Sequence, residues 1–296
     1  MTIQELLTEG KMLLGSPSPS SFIDTPALDA ALLLSEILHK SREELIAGGK
    51  EPVSEAERKA FYRFLERRKN GECVAYILGR REFRGLEFTV NHNVLVPRPD
   101  TETLVETVLE YIDSRKDKNN LFLLDLCTGS GALAISLKNE RPFLTVTASD
   151  ISPKALETAA LNAARLLDSG SANVQFIQSD LFENIAGRFD IIVSNPPYVP
   201  SGDLASLAPE VQREPHLALD GGEDGLKIIR RIISRAGEYL LPGGLLLLEA
   251  SPEQMPVIRT FLETHSFDNI RIHKDLAGRD RVIEGRMTER GRTKKG

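Results

Sequence analysis

The chain has no tryptophan, two cysteines and five histidines in 296 residues. Cys73 and Cys127 are too far apart for the CxxC spacing of a metal or redox site, and two thiols cannot build a disulfide framework, so a reducing compartment is expected. His39, His92, His216, His265 and His273 are scattered without the helical spacing of a zinc ligand set, and no metal is indicated. Long apolar runs are also missing: the longest strongly apolar one, Leu245 to Leu248, falls far short of the roughly 18 residues a membrane span needs. The opening Met1-Thr2-Ile3-Gln4-Glu5 has no basic patch ahead of an apolar segment, so no cleaved signal is expected and the chain is placed in the cytoplasm. Positive charge is not in excess either. With 37 Lys+Arg against 43 Asp+Glu the formal net charge is -6, which argues against a surface built for direct nucleic-acid binding.

What is present is an ordinary globular composition, long enough for one large or two ordinary domains. Residues 1–80 read as a small helical bundle: Leu6, Leu7 and Met12 to Leu14, then Leu28, Leu32, Ile37 and Leu38, recur at helical intervals. Asp24-Thr25-Pro26 offers a cap with proline in the first turn, and Ser54 to Glu57 has capping-box spacing. Residues 81–99 read as a β-hairpin linker, with strands on either side of Asn91-His92-Asn93. Asp100-Thr101 can cap the helix that carries Leu104, Val105, Val108, Leu109 and Ile112. Over 100–286, apolar runs at 121–126, 144–148, 174–177, 189–193 and 244–249 alternate with helical stretches. That order predicts an α/β domain with a largely parallel sheet. Segments 269–273 and 281–284 are too close for a crossover and should pair antiparallel. Residues 287–296 form a basic tail, expected to be solvated and frayed.

Leu123 to Ala132 is an apolar strand ending in a small-residue turn, Cys127-Thr128-Gly129-Ser130-Gly131, that opens a helix. Small residues let a ligand approach backbone, and the helix start offers free N–H groups. Gly129, Gly131 and Ala134 satisfy G-x-G-x-x-G/A, with Asp150 about 20 residues on, so a nicotinamide dinucleotide must be weighed against S-adenosyl-L-methionine. Asp150, ending the second strand, would accept from ribose hydroxyls of either. Asp125 favours the second ligand, because a carboxylate facing the turn suits a sulfonium and an ammonium better than a pyrophosphate, although it could instead merely hydrogen-bond the turn backbone. Asp180, after the third strand, can accept from an adenine amino group or cap a helix.

The strand Phe189 to Ser194 runs into Asn195-Pro196-Pro197-Tyr198, where a doubly wound sheet places its reactive crevice. Asn195 and the Pro196 carbonyl can clamp an NH2 group, and the consecutive prolines keep the backbone extended. Tyr198 can lie against the flat face of the acceptor and exclude water. Amide nitrogen is a poor nucleophile, so orientation and a polar clamp must carry the catalysis, and no separate general base is evident.

With Ala75 to Gly79, Val96 to Glu102, Asp125 to Gly131, Asn195 to Tyr198, Asp220 to Leu226 and Gly278 to Arg281, the chain resembles the HemK/PrmC family of peptide chain release factor N5-glutamine methyltransferases. The resemblance implies a Rossmann-like, seven-stranded S-adenosylmethionine-dependent methyltransferase fold behind a helical substrate-recognition domain. It implies a methyl acceptor in the Gly-Gly-Gln glutamine of class 1 peptide chain release factors, cofactor contacts at Cys127 to Gly131, Asp150, Leu181 and Asn195, and a glutamine held by Asn195 to Tyr198. Asn-Pro-Pro-Tyr also resembles the motif of methyltransferases acting on adenine or guanine amino groups, the alternative reading. Three positions depart from the family. Cys127 stands where glycine is usual, so a small buried side chain without positive φ is expected there. Leu181 stands where an aromatic often packs on adenine, and Glu249-Ala250-Ser251 replaces Glu-x-Gly.

Arg58, Lys59, Arg63, Arg67, Arg68 and Lys69 form a basic stretch, a solvated face or else a docking surface for an acidic partner. Val199 to Gly225 is long for a connection inside a domain and is expected to act as a lid over the substrate glutamine. The chain is expected to be a monomer.

Overall fold

A computed structural model describes residues 1–16, 23–115, 120–168 and 174–288. The chain divides into two compact units, one of residues 1–80 with 205–214, the other of 81–204 with 215–296.

The first unit holds α1 (Ile3–Gly15), α2 (Pro26–Leu38), α3 (Arg42–Ala47), α4 (Glu55–Lys69) and α5 (Val74–Leu78). Capping boxes start three of them, Thr2 with Glu5, Ser41 with Glu44 and Ser54 with Glu57, each satisfying two otherwise orphaned N–H groups. Thr25 precedes α2 with no side-chain cap, and Pro26 alone marks that start. Leu6, Leu33, Leu34, Leu45 and Phe61 fill the core. The basic stretch on α4 is not one uniform face. Arg67 pairs with Glu72, Lys59 with Glu55, and Arg68 is buried between Asp29 (2.6 Å) and Glu210 (2.7 Å). Glu210 belongs to the 205–214 segment, so the middle of the presumed lid is held in the helical unit. Arg213 adds a bond to the Asn70 carbonyl.

The second unit opens with a two-stranded hairpin, β1 (Arg80–Phe83) and β2 (Leu86–Thr89). Its turn is Arg84-Gly85, both at positive φ, the combination that matches hairpin twist. Asn91 to Asn93 does turn, with Val94 N–H bonded to the Asn91 carbonyl, but it is not the turn of the hairpin, and 94–96 is not a strand. Phe83 and Phe88 pack edge to face across the hairpin.

The main sheet has the order β5-β4-β3-β6-β7-β9-β8, formed by β3 (Phe122–Leu126), β4 (Thr145–Asp150), β5 (Val174–Gln178), β6 (Phe189–Ser194), β7 (Leu240–Glu249), β8 (Phe267–Lys274) and β9 (Asp280–Met287). The first five in that order are parallel, and β9 runs antiparallel to both β7 and β8. Strand alternation divides the core in two. Leu123, Val146, Ile191 and Leu245 face α6 (Glu102–Ser114) and α7 (Ala132–Glu140), while Leu124, Ile192, Leu246 and Leu248 face α9 (Lys227–Tyr239) and α10 (Met255–Thr264). The helix α8 (Pro153–Leu166) follows β4 and buries Leu156 and Ala159. Of the expected tail, Met287 belongs to β9 and Thr288 N–H bonds the Ser266 carbonyl; residues 289–296 lie outside those described. Among the described residues no helix is long and apolar enough to cross a membrane.

The chain leaves β3 toward β4 and β5 on one side and returns to β6 and β7 on the other. The switch point thus lies at the C-terminal ends of β3 and β6, where an open α/β sheet forms its ligand crevice.

Candidate active site

A cavity of about 310 Å³ opens at that switch point. It is walled by Cys127 to Ser130 after β3, Asp150 to Ser152 after β4, Ser179 to Leu181 after β5, and Asn195 and Pro197 after β6. Four strand ends and their turns converge there.

The glycine turn is held in shape by side chains from three elements. Gly129 N–H donates to Asp150 Oδ2 (2.9 Å), and Asp150 Oδ1 accepts from Ser152 N–H (2.9 Å). Burial raises the Asp150 pKa and these backbone donors oppose the rise. Asn162 of α8, fully buried, donates to the carbonyls of Ser130 and Thr89, tying the turn to the end of β2. Gly131 has φ +83°, and an added Cβ would lie 2.7 Å from Ile135 Cδ1, so the helix entry needs glycine there; Gly131 itself does not wall the cavity.

Three expectations require correction. Asp125 is not on the rim but fully buried beneath the turn, where it accepts a hydrogen bond from Thr128 Oγ1 (2.6 Å). Burial pushes its pKa up to about 7 against that bond. Its role is to brace the turn, because the last residues of a central strand point into the protein before the chain turns out. Cys127, expected to avoid positive φ, has φ +60°, the left-handed conformation in which its family's glycine is free of strain. Burial also pushes its thiol pKa up. Asp180 walls the cavity but caps no labelled helix. It pairs with Arg231 of α9 at 2.9 Å, and that guanidinium lines the same cavity.

Leu181 is buried in the wall at φ +52°. Of the Asn-Pro-Pro-Tyr residues, Asn195 and Pro197 wall the cavity, while Pro196 and Tyr198 do not. Tyr198 turns its hydroxyl inward to Glu249 Oε1 (3.3 Å), and burial raises its pKa. Its carbonyl accepts from Gln254 Nε2 (2.9 Å). Asn195 Nδ2 donates to Thr101 Oγ1 at 3.1 Å. Thr101 caps nothing, contrary to expectation. It closes a short 3-10 turn, Pro99–Thr101, and spends its side chain on Asn195.

Sequence reasoning missed further walls. Asn93 to Leu95, Pro97, Arg98 and Thr101 precede α6, and Pro215, Leu217 and Ala218 come from the long connection. Arg98 and Thr101 lie in the Val96 to Glu102 motif, which could have flagged them. The connection's ends are fastened to each other, Val199 N–H to the Leu219 carbonyl (2.9 Å) and Gly221 N–H to the Val199 carbonyl (2.8 Å).

A parallel sheet with this strand order, a glycine turn braced by an acid after the second strand, and Asn-Pro-Pro-Tyr at the switch point define the Rossmann-like methyltransferases. Residues 100–210 match the profile of the methyltransferase small domain, and residues 5–79 that of the PrmC N-terminal domain. The chain is 44% identical over 264 residues to a release factor glutamine methyltransferase of Neisseria gonorrhoeae, covering 88% of this chain and 93% of that one. To its counterpart in Deinococcus radiodurans it is 39% identical, covering 97% and 99%. A methyltransferase structure from Pyrococcus furiosus has the same fold, with a TM-score of 0.50 at 19% identity over 70% of this chain and 91% of that one. The chain belongs to the release factor glutamine methyltransferase family.

Proposed function

We propose that the protein transfers a methyl group from S-adenosyl-L-methionine to the side-chain amide nitrogen of the Gly-Gly-Gln glutamine in class 1 peptide chain release factors, in the cytoplasm where translation terminates. The observation that carries this reading is that Asn195 and Pro197 wall the same cavity as Asp150 and the Cys127 to Ser130 turn. An amide clamp and a nucleoside-type cradle thus share one space.

The residues present fit the cofactor. Asp150 offers carboxylate lone pairs to ribose hydroxyls, small residues at 127–130 admit close approach, and Leu133, Ile151, Leu181 and Ile228 provide apolar wall for an adenine. Asp180 is already neutralised by Arg231, so the acidic rim expected to attract a cation reduces to Asp150. When bound, the cofactor supplies an electrophilic methyl group on a sulfonium.

The protein's part is orientation. Asn195, which walls the cavity, holds the acceptor NH2 group. The two prolines keep the segment after Asn195 extended, and Pro197 contributes apolar wall beside the acceptor. As the amide lone pair is drawn out of conjugation, positive charge develops on nitrogen and strengthens the N–H···O bonds to the clamp.

Mass spectrometry of an unmethylated class 1 release factor, incubated with the protein and S-adenosyl-L-methionine, tests this reading. One added methyl on the Gly-Gly-Gln glutamine, absent with Asn195→Ala, is expected. Binding of the cofactor without that product would overturn the substrate assignment and turn attention to nucleic-acid amino groups.

A further inference from the structure

Gln254 ends the short 3-10 turn Pro252–Gln254 between β7 and α10, with only 7% of its surface exposed. Its carboxamide has a partner at each end. Oε1 accepts from Ser251 N–H at 3.1 Å, and Nε2 donates to the Tyr198 carbonyl at 2.9 Å and, more weakly, to the Asp224 carbonyl at 3.4 Å. All three partners are main chain, so the carboxamide fits one way round: reversed, it would set an NH2 group against an N–H and an oxygen against two carbonyls. The Ser251 N–H that fixes this orientation belongs to a position where the family usually has glycine, and glycine offers the same N–H. The departure at 251 thus keeps the group the turn needs, and its hydroxyl completes a capping box.

Tyr198 closes the Asn-Pro-Pro-Tyr segment, and Asp224 lies on the return of the long connection, whose Pro215, Leu217 and Ala218 wall the cavity together with Asn195 and Pro197. The two segments are bonded to each other through Val199. Because Pro196 and Pro197 have fixed φ, a stiff strut runs from the end of β6 to Tyr198, and β6 sets one end of it. We infer that Gln254 is a positioning residue that sets the other end: it ties the Tyr198 backbone and the returning connection to the turn after β7, and so holds Asn195 and Pro197 in place against the acceptor amide. Gly225 leaves room for this, since a Cβ there would lie 2.4 Å from Nε2. The Tyr198 ring is held separately, by its Oη bond to Glu249 at 3.3 Å, which does not fix the carbonyl. The role rests on the amide-methylating reading above.

The test measures release-factor methylation, cofactor affinity by calorimetry and thermal unfolding for Gln254→Met and Gln254→Glu. Methionine keeps the length and apolar packing of the side chain and removes all three bonds. Groups that orient a site residue from behind typically contribute about 10–100-fold. Gln254→Met should lower kcat by about that factor, with the release-factor KM within about threefold of wild type. Cofactor Kd should stay within about twofold, since the Cys127 to Ser130 turn and Asp150 do not touch Gln254.

Gln254→Glu separates orientation from packing. An ionised carboxylate turns an oxygen on the Tyr198 carbonyl, whereas the protonated acid accepts from Ser251 N–H with one oxygen and donates to Tyr198 with the other. Burial among carbonyls raises the pKa of such a carboxyl, so kcat relative to wild type should be lowest at about pH 8–9 and recover at least about fivefold by about pH 6. The ratio cancels groups common to both proteins, including Asp125 and Glu249, which burial raises to about 7. Closer to hand, the Arg230 bond holds the Asp224 carboxyl below its ordinary pKa and burial raises that of the Tyr198 phenol, so neither changes charge over that range. A Gln254→Met kcat within about twofold of wild type, a flat Gln254→Glu ratio, or a cofactor Kd that rises in step with the loss of kcat would each overturn the role. Failure of both variants to fold would make Gln254 a residue of the fold and not of the clamp, and overturns it too. A wild-type protein that leaves the release factor unmethylated overturns the functional reading instead.

Discussion

Gly225 gives a sharp test of how the long connection supports the site. It has φ +73°, and a Cβ placed on it would lie 2.2 Å from the Tyr198 carbonyl oxygen and 2.4 Å from Gln254 Nε2. Those two atoms are hydrogen-bonded to each other at 2.9 Å. In Gly225→Ala the left-handed backbone costs about 1 kcal/mol. Losing the Gln254 bond costs about 1 kcal/mol more, and forcing backbone apart costs about 1–3 kcal/mol. The sum, about 3–5 kcal/mol, corresponds to a Tm fall of about 10 °C for a unit of this size. Gly243 is the control, because it has φ +74° with nothing within 4 Å of a built Cβ. Gly243→Ala should therefore cost only the backbone contribution, about 1 kcal/mol and about 3 °C. Thermal unfolding by circular dichroism separates the two. Methylation measured well below either midpoint should fall at least about tenfold in Gly225→Ala, through displacement of the Tyr198 backbone and with it Asn195, and stay unchanged in Gly243→Ala. Equal Tm losses in both would refute the claim that close approach, not φ alone, demands glycine at 225.

Cys127 tests the φ argument in the cavity wall. Cys127→Gly should keep cofactor affinity within about threefold, whereas Cys127→Val, β-branched at φ +60°, should weaken it at least about tenfold by calorimetry, and equal affinities would count against the strain. Arg68 tests the anchor of the 205–214 segment. Arg68→Met leaves Asp29 buried without its cation and should destabilise the helical unit by about 3–5 kcal/mol, seen as a lowered first transition in calorimetry. The same variant should expose 205–214 to protease, since Glu210 loses its partner, and an unchanged cleavage pattern would mean that Arg213 alone holds the segment.

The parts of this structure that were legible in sequence are those whose cause lies within a few residues. A capping box is a contact between positions three apart, so Ser54 and Glu57 announce α4 on their own. The alternation of apolar runs with helical stretches, and the short link before β9, set the parallel sheet and its antiparallel edge in the same local way. Even the hairpin was legible in kind. Its turn was misplaced because Asn91-His92-Asn93 is richer in turn formers than Arg84-Gly85, while the register is set by Phe83 meeting Phe88. Cys127 failed for a different reason: side-chain type is a weak guide to φ where neighbouring bonds, here Gly129 to Asp150 and Asn162 to Ser130, dictate the path of the turn.

The site follows the same rule. Asn195 and Asp150 stand at strand ends, and the sheet alone delivers them to the crevice. What orients them comes from far along the chain. Thr101 is 94 positions from Asn195, and Glu249 is 51 from Tyr198. No spacing pattern encodes such pairs, because each depends on which strands become neighbours and how far each extends past the crevice. Thr101 was therefore read as a helix cap, and Asp125 as a ligand when it braces the turn. A residue that contacts substrate can be guessed from its chemistry and its strand. One that acts through another residue becomes visible only once the fold has brought the two together, as it brings Thr101 to Asn195.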